Sequence, residues 1–191
     1  MTSQLPDPAL VSVFRGPLHY RERAAVGELI DQSLAALNLP DGFISPGDRV
    51  VIKPNWVKEH DERRPGPNQW EHMVTHPAVI EAVIRWAAAR LRGRGSVTVC
   101  DAPQTDSSFA RLREYCGFEE TITRCREAFP GVTIDVLDLR PEEWLAVDGV
   151  TVSKTALPGL LTLHPPIRDI RAFRGSSQIR CVKSILGQLS Y

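Results

Sequence analysis

Five polar side chains stand where an α/β chain places its chemistry. Lys53 and Asn55 close the run Val50-Val51-Ile52-Lys53-Pro54-Asn55, and His76 lies in Thr75-His76-Pro77 ahead of an apolar stretch. Asp101 and Gln104 follow Val97-Thr98-Val99-Cys100. An ammonium and a carboxamide suit a phosphate or carboxylate, so Lys53 and Asn55 are candidate ligand-binding residues, with Gln104 beside them. The same residues also serve to end a strand and pin the next loop. His76 sits at a helix start, where the dipole favours anions and opposes protonation of an imidazole. It is a candidate catalytic base, a metal ligand or a hydrogen-bonded neighbour of the cap. Asp101 is the candidate catalytic carboxylate, or else a turn former whose side chain caps the backbone at Gln104 or Thr105. His60 and His72 flank the intervening loop and would extend His76 and Asp101 into a metal set. Loop histidines are mostly solvated, however, and no metal is assigned.

The elements that must position these residues alternate. Leu10 to Phe14 reads as a short strand, and Arg21 to Leu39 as a helix with Val26, Leu29, Ile30, Leu34 and Leu37 at helical spacing, stopped by Pro40-Asp41-Gly42. The continuous apolar run from Arg49 to Pro54 predicts a strand buried on both faces, as in parallel sheets, ended by a proline that cannot donate to a ladder. Residues 56 to 73 form a long charged loop. Thr75 then reads as an N-cap with Pro77 in the first turn. Val79, Ile80, Val83, Ile84, Ala87 and Leu91 give one apolar helical stripe. Val97 to Cys100 and Val132 to Leu139 are further strands, with helices predicted over Phe109 to Tyr115 and Glu119 to Phe129 between them. Strands alternating with helices predict a mostly parallel sheet flanked by helices, whose carboxyl edge gathers the candidate residues.

Composition narrows the function classes. The chain has 191 residues, 42% hydrophobic and 24% charged, enough for the core of one soluble domain. Its start lacks the basic and apolar pattern of a signal peptide, and no apolar run approaches membrane-spanning length. A cytoplasmic setting is expected, with no membrane partner. Cys100, Cys116, Cys125 and Cys181 lack metal-ligand spacing and read as free thiols, Cys100 as a small buried apolar residue. The four tryptophans read as core or loop anchors. There is no phosphate-binding P-loop, G-x-G-x-x-G or G-x-S-x-G pattern. The formal net charge of zero hides an uneven distribution. Residues 155–191 hold Arg168, Arg171, Arg174, Arg180 and Lys183 against Asp169, a balance of +4, which leaves −4 for the rest. Few aromatics accompany those arginines, which argues against nucleic acid as a partner.

The order of an apolar strand ending Ile52-Lys53-Pro54-Asn55, a loop, Thr75-His76-Pro77, and a second strand ending Asp101-Ala102-Pro103 resembles the bacterial and archaeal family catalogued as domain of unknown function 362. The resemblance spans roughly residues 45 to 145. It implies an α/β fold. Some members are fused to ferredoxin-like iron-sulfur modules and others are encoded near polysaccharide or natural-product genes, with activities largely unassigned. Cys100 stands where the family often has Gly, and the later Lys-rich, Lys-Thr-His and Lys-Asn segments are not found. That departure raises the expectation of a truncated chain. The expected organisation is an α/β domain over residues 1–154 and an irregular, weakly packed basic tail over 155–191. The expected function is that of an enzyme, or its remnant, acting on a small anionic metabolite in a biosynthetic pathway. The alternative is a non-catalytic ligand-binding or scaffold protein on the same fold. No cofactor, oligomeric state or substrate follows from the sequence.

Overall fold

The computed structural model describes residues 11–16, 19–59, 61, 63, 69–158 and 179–182, with only the backbone given for Gln69 and for residues 179–182. Three apolar runs become strands of one parallel sheet: β1 (Arg49–Ile52), β2 (Ser96–Asp101) and β3 (Thr133–Asp138). A fourth strand, β6 (Ile179–Val182), joins the free edge of β1, so the order is β3-β2-β1-β6. The register sets Val50 beside Val97 and Arg180, and Val97 beside Ile134. Because side chains alternate across a strand, Val50, Ile52, Val97, Val99 and Ile134 all reach one buried face.

That face is covered by helices. α2 (Pro77–Leu91) lies on β1 and β2 and is buried along almost its whole length, because α1 (Arg23–Ala36) and α4 (Phe118–Ala128) both pack against it. Val26, Ile30 and Leu34 of α1, Ile80, Ile84 and Leu91 of α2, and Phe118 and Ile122 of α4 complete the core. The short α3 (Phe109–Tyr115) begins where the Ser108 hydroxyl accepts from the Arg111 amide. It ends before Gly117, whose φ of 64° a side chain would strain. An α/β fold with a mostly parallel sheet flanked by helices is thus present.

Three details differ from the sequence reading. Residues 11–16 form no strand: Val11 and Val13 are largely exposed, and both edges of β1 are already occupied, by β2 and β6. The N-cap of α2 is His76, whose Nδ1 accepts from the Ala78 amide at 3.1 Å. Thr75 is diverted from that role because its hydroxyl accepts from the Asn55 amide instead, at 2.9 Å. The third difference is a hairpin of β4 (Glu142–Val147) and β5 (Val150–Ala156), turned at Asp148 and Gly149 with φ of 50° and 76°. Positive φ at both central residues makes a tight turn matched to the twist of the strands.

β5 runs across the expected boundary at residue 154, to Ala156. Of the expected tail, residues 159–178 and 183–191 lie outside the described residues. The rest of it is the end of β5, Leu157 and Pro158, and strand β6. No helix among the described residues is long and apolar enough to cross a membrane.

Candidate functional site

The parallel register delivers the loops after β1 and β2 to the same edge, and Asp101 joins them. The Trp56 amide donates to Asp101 Oδ2 at 2.7 Å, the Ala102 amide donates to Oδ1 at 2.8 Å, and Lys53 Nζ lies 2.9 Å from Oδ1. The carboxylate is buried, while the Lys53 side chain is 55% exposed and also donates to the Pro54 carbonyl. Most of the accepting capacity of Asp101 is therefore spent on holding the two loops and the lysine. Lys53 carries the solvent-facing charge.

The β1 loop then turns to the start of α2. Asn55 and Thr75 exchange two bonds: the Asn55 amide donates to Thr75 Oγ1, and the Thr75 amide donates to the Asn55 carbonyl at 2.8 Å. Asn55 is exposed, and its side-chain amide has no protein partner among the described residues. Next to Thr75, the His76 ring stacks on Tyr20, with centroids 4.1 Å apart and planes 13° apart, and meets Trp70 at 5.3 Å. Burial, and then the positive charge of Arg23, hold its pKa down to about 4. With Nδ1 accepting from Ala78, the neutral ring carries its proton on Nε2 and can present a donor there. Gln104 lies on the same edge. It is exposed, and its amide donates to the Val57 carbonyl at 2.9 Å.

Lys53 and Asp101 are therefore in direct contact, Asn55 and His76 are coupled through Thr75, and Gln104 is tied to the β1 loop by its backbone. His72 is exposed, and His60 lies outside the described residues. No group of three or more His, Cys, Asp or Glu side chains among the described residues is placed to hold a metal. A cavity of about 710 Å³ lies between the end of α1 and the last turns of α2, lined by Leu34, Phe43, Trp86 and Arg90. It is at the opposite end of α2 from His76 and contains none of the five candidate residues.

Sequence reasoning passed over the supports of this edge. Arg140 is 3% exposed and forks onto Asp138, with Nη2–Oδ2 at 2.6 Å and Nε–Oδ1 at 3.0 Å. It also pairs with Glu143 and donates to the carbonyls of Gln104 and Ser107, each at 2.7 Å. It thereby fastens the β2 loop to β3 and to the hairpin. Ser107 donates to the buried Glu59 at 2.7 Å, tying the β1 and β2 loops together a second time. Within the long charged loop of residues 56 to 73, Glu59 and Asp61 are buried. The available signal was Asp138-Leu139-Arg140 directly after a strand, where an ion pair two residues apart can close a turn.

Residues 50–161 match the family model described as Domain of unknown function (DUF362). The chain belongs to this family. The match begins in β1 and extends past β5, so the family unit includes Lys53, Asn55, His76, Asp101 and Gln104 together with Arg140 and the hairpin. No curated protein and no solved structure matches the chain.

Proposed function

We propose that this family member binds a small anionic metabolite at the carboxyl edge of its sheet, with Lys53 as the charge-recognising residue and Asn55 and Gln104 as neutral contacts. The observation that carries the reading is topological. β1 has a parallel neighbour on each side, and in the order β3-β2-β1-β6 the chain proceeds from β1 outward through β2 and β3 before β6 takes the opposite side of β1, which makes its carboxyl end a switch point of the kind where open α/β sheets bind ligands. Lys53 is the first residue beyond β1 at that point, and Asp101 fixes its ammonium without burying it. Asp101 acts here as the anchor of Lys53 and of the two loops.

An enzymatic role for the same site would assign to His76 Nε2 a hydrogen bond to developing negative charge, since the ring is neutral near pH 7 and its other nitrogen is engaged. Both readings share the anion.

The test is a calorimetric titration with di- and tricarboxylates, on the wild type and on Lys53→Met. Saturable binding that the substitution weakens by about tenfold or more, with unchanged unfolding, is the expected result. Equal affinity of the two proteins, or no saturable binding of any of these anions, would overturn the proposal. Lys53→Met is preferred to a change at Asp101, which would also release the Trp56 and Ala102 amides.

A further inference from the structure

Away from that edge, three arginines converge on one glutamate across the outer ridge of α2. Glu81 is buried, with a side chain only 8% exposed. Its Oε2 accepts from Arg23 Nη1 of α1 at 2.6 Å and Arg124 Nη2 of α4 at 3.1 Å. Its Oε1 accepts from Arg85 Nε and Nη2, both at 3.0 Å. The Thr121 hydroxyl, itself fully buried, takes further bonds from Arg124 and Arg23.

Burial pushes the Glu81 carboxyl up, but hydrogen bonds from Arg124 and Arg85 and the charges of Arg124 and Arg23 carry it below its ordinary value. The glutamate is therefore ionised near neutral pH, and its accepting positions are filled.

The charge does not close. Three guanidinium groups face one buried carboxylate, leaving two positive charges. The only other acid within ion-pair distance among the described residues is Glu120, 3.8 Å from Arg124 and 81% exposed. The donors do not close either. A guanidinium carries more N–H groups than these bonds use. All three arginines remain partly open to solvent, with side chains 34% to 42% exposed.

We propose that Arg23, Arg85 and Arg124, held in place by Glu81 and Thr121, form a second anion site that takes a phosphate group. The surplus of positive charge, two against Glu81 alone and one once Glu120 is counted, suits a phosphate anion, and planar guanidinium forks pair with tetrahedral oxyanions in two-point contacts. Glu81 is the internal counter-charge that orients the three forks from three different helices. The ligand occupies their solvent side. Free phosphate and a phosphate monoester share this chemistry.

The experiment follows inorganic phosphate, then glycerol phosphate, by calorimetry and by the arginine Nε resonances, at constant ionic strength held with chloride. Saturable binding of either, with perturbed Arg85 and Arg124 signals, is expected. Arg85→Gln should weaken it by about tenfold, and Lys53→Met should leave it within about twofold. A tighter monoester identifies esters as the ligand and equal affinity identifies phosphate itself, and both sustain the proposal. Arg85 is the residue to change because its removal leaves Glu81 paired with both other arginines. Arg85→Lys separates geometry from charge and should also lose most of the affinity. No saturation, a response equal to that of chloride, or unchanged binding by Arg85→Gln would overturn the site. A loss caused by Lys53→Met instead would place phosphate at the sheet edge and refute this assignment while sparing the other.

Discussion

Lowering the pH should weaken this protein through one histidine. In the fold the pKa of His76 is held down to about 4, against 6.5 for the free side chain, because the ring is partly buried and faces Arg23. The unfolded chain therefore takes up this proton below about pH 6.5, and the folded chain only near 4. The contribution of His76 to stability is complete above the higher value and is lost as the pH falls through that window. The full shift would be worth roughly 3 kcal/mol. The ring is only partly buried, so solvent and salt screen the effect, and about 1 to 2 kcal/mol is expected by pH 5. Protonation also removes the Nδ1 lone pair that accepts from Ala78, costing the first turn of α2 its cap. Urea unfolding of the wild type and of His76→Asn at pH 7.5, 6 and 5 isolates the term, since asparagine caps a helix without titrating and the other histidines cancel in the difference. The wild type should lose about 1 to 2 kcal/mol more than the variant between pH 7.5 and 5. Parallel losses in the two proteins, or an imidazole NMR titration centred at or above pH 6, would refute the reasoning.

Two further substitutions probe the scaffold. Arg140→Met should cost about 3 to 5 kcal/mol, because it leaves Asp138 and Glu143 without their buried partner and several carbonyls without a donor. Hydrogen exchange should speed up at the Trp144 amide, which donates to Thr105 at 2.7 Å, and a loss under about 1 kcal/mol would contradict the role of hub. Gly95→Ala should cost on the order of 3 kcal/mol, since the residue has φ of 123° and its new methyl group would sit 2.4 Å from the Asp48 carbonyl. Thermal unfolding indistinguishable from the wild type would show that the β1–β2 entry can shift to accept it.

How far the sequence carried the fold depended on the range of the interactions. The α2 stripe and the apolar runs of β1 and β2 are local signals, and α3 appears over the same residues that the periodicity marks, Phe109 to Tyr115. The hairpin was also locally signalled, by Asp148-Gly149 between short alternating runs, but its strands expose Leu145, Val147, Val150 and Val152 and so lack the buried pattern that marks a strand. β6 had no comparable signal. Ile179-Arg180-Cys181-Val182 becomes a strand only by pairing with Arg49–Ile52, far away along the chain. Conversely, Leu10 to Phe14 had a suitable local pattern, but its described residues pair with no strand. At the candidate site, the approach of Lys53 to Asp101 follows from two consecutive parallel strands. The two backbone amides that hold Asp101 could not be read from residue types. The arginine cluster was partly visible, since Glu81 and Arg85 are four residues apart on one helix. Arg23 and Arg124 join them only through the packing of α1 and α4 on α2.

The start of α2 bears on how the anion proposed for the sheet edge would be held. A helix N-terminus ordinarily offers free amides to an anion. Here Pro77 has none, Ala78 donates to His76 Nδ1, and Val79 and Ile80 donate to the His76 carbonyl at 3.0 and 3.3 Å. His76 thus closes the helix end that would otherwise bind the ligand through backbone. It leaves the dipole but no donors. A phosphate or carboxylate bound at this edge as proposed would take its hydrogen bonds from Lys53, from the amide groups of Asn55 and Gln104, and from His76 Nε2. Lys53 and His76 are held by Asp101 and by the stacked rings of Tyr20 and Trp70, whereas Asn55 and Gln104 are exposed and adjustable. Such a site would distinguish ligands by where their second and third polar groups fall.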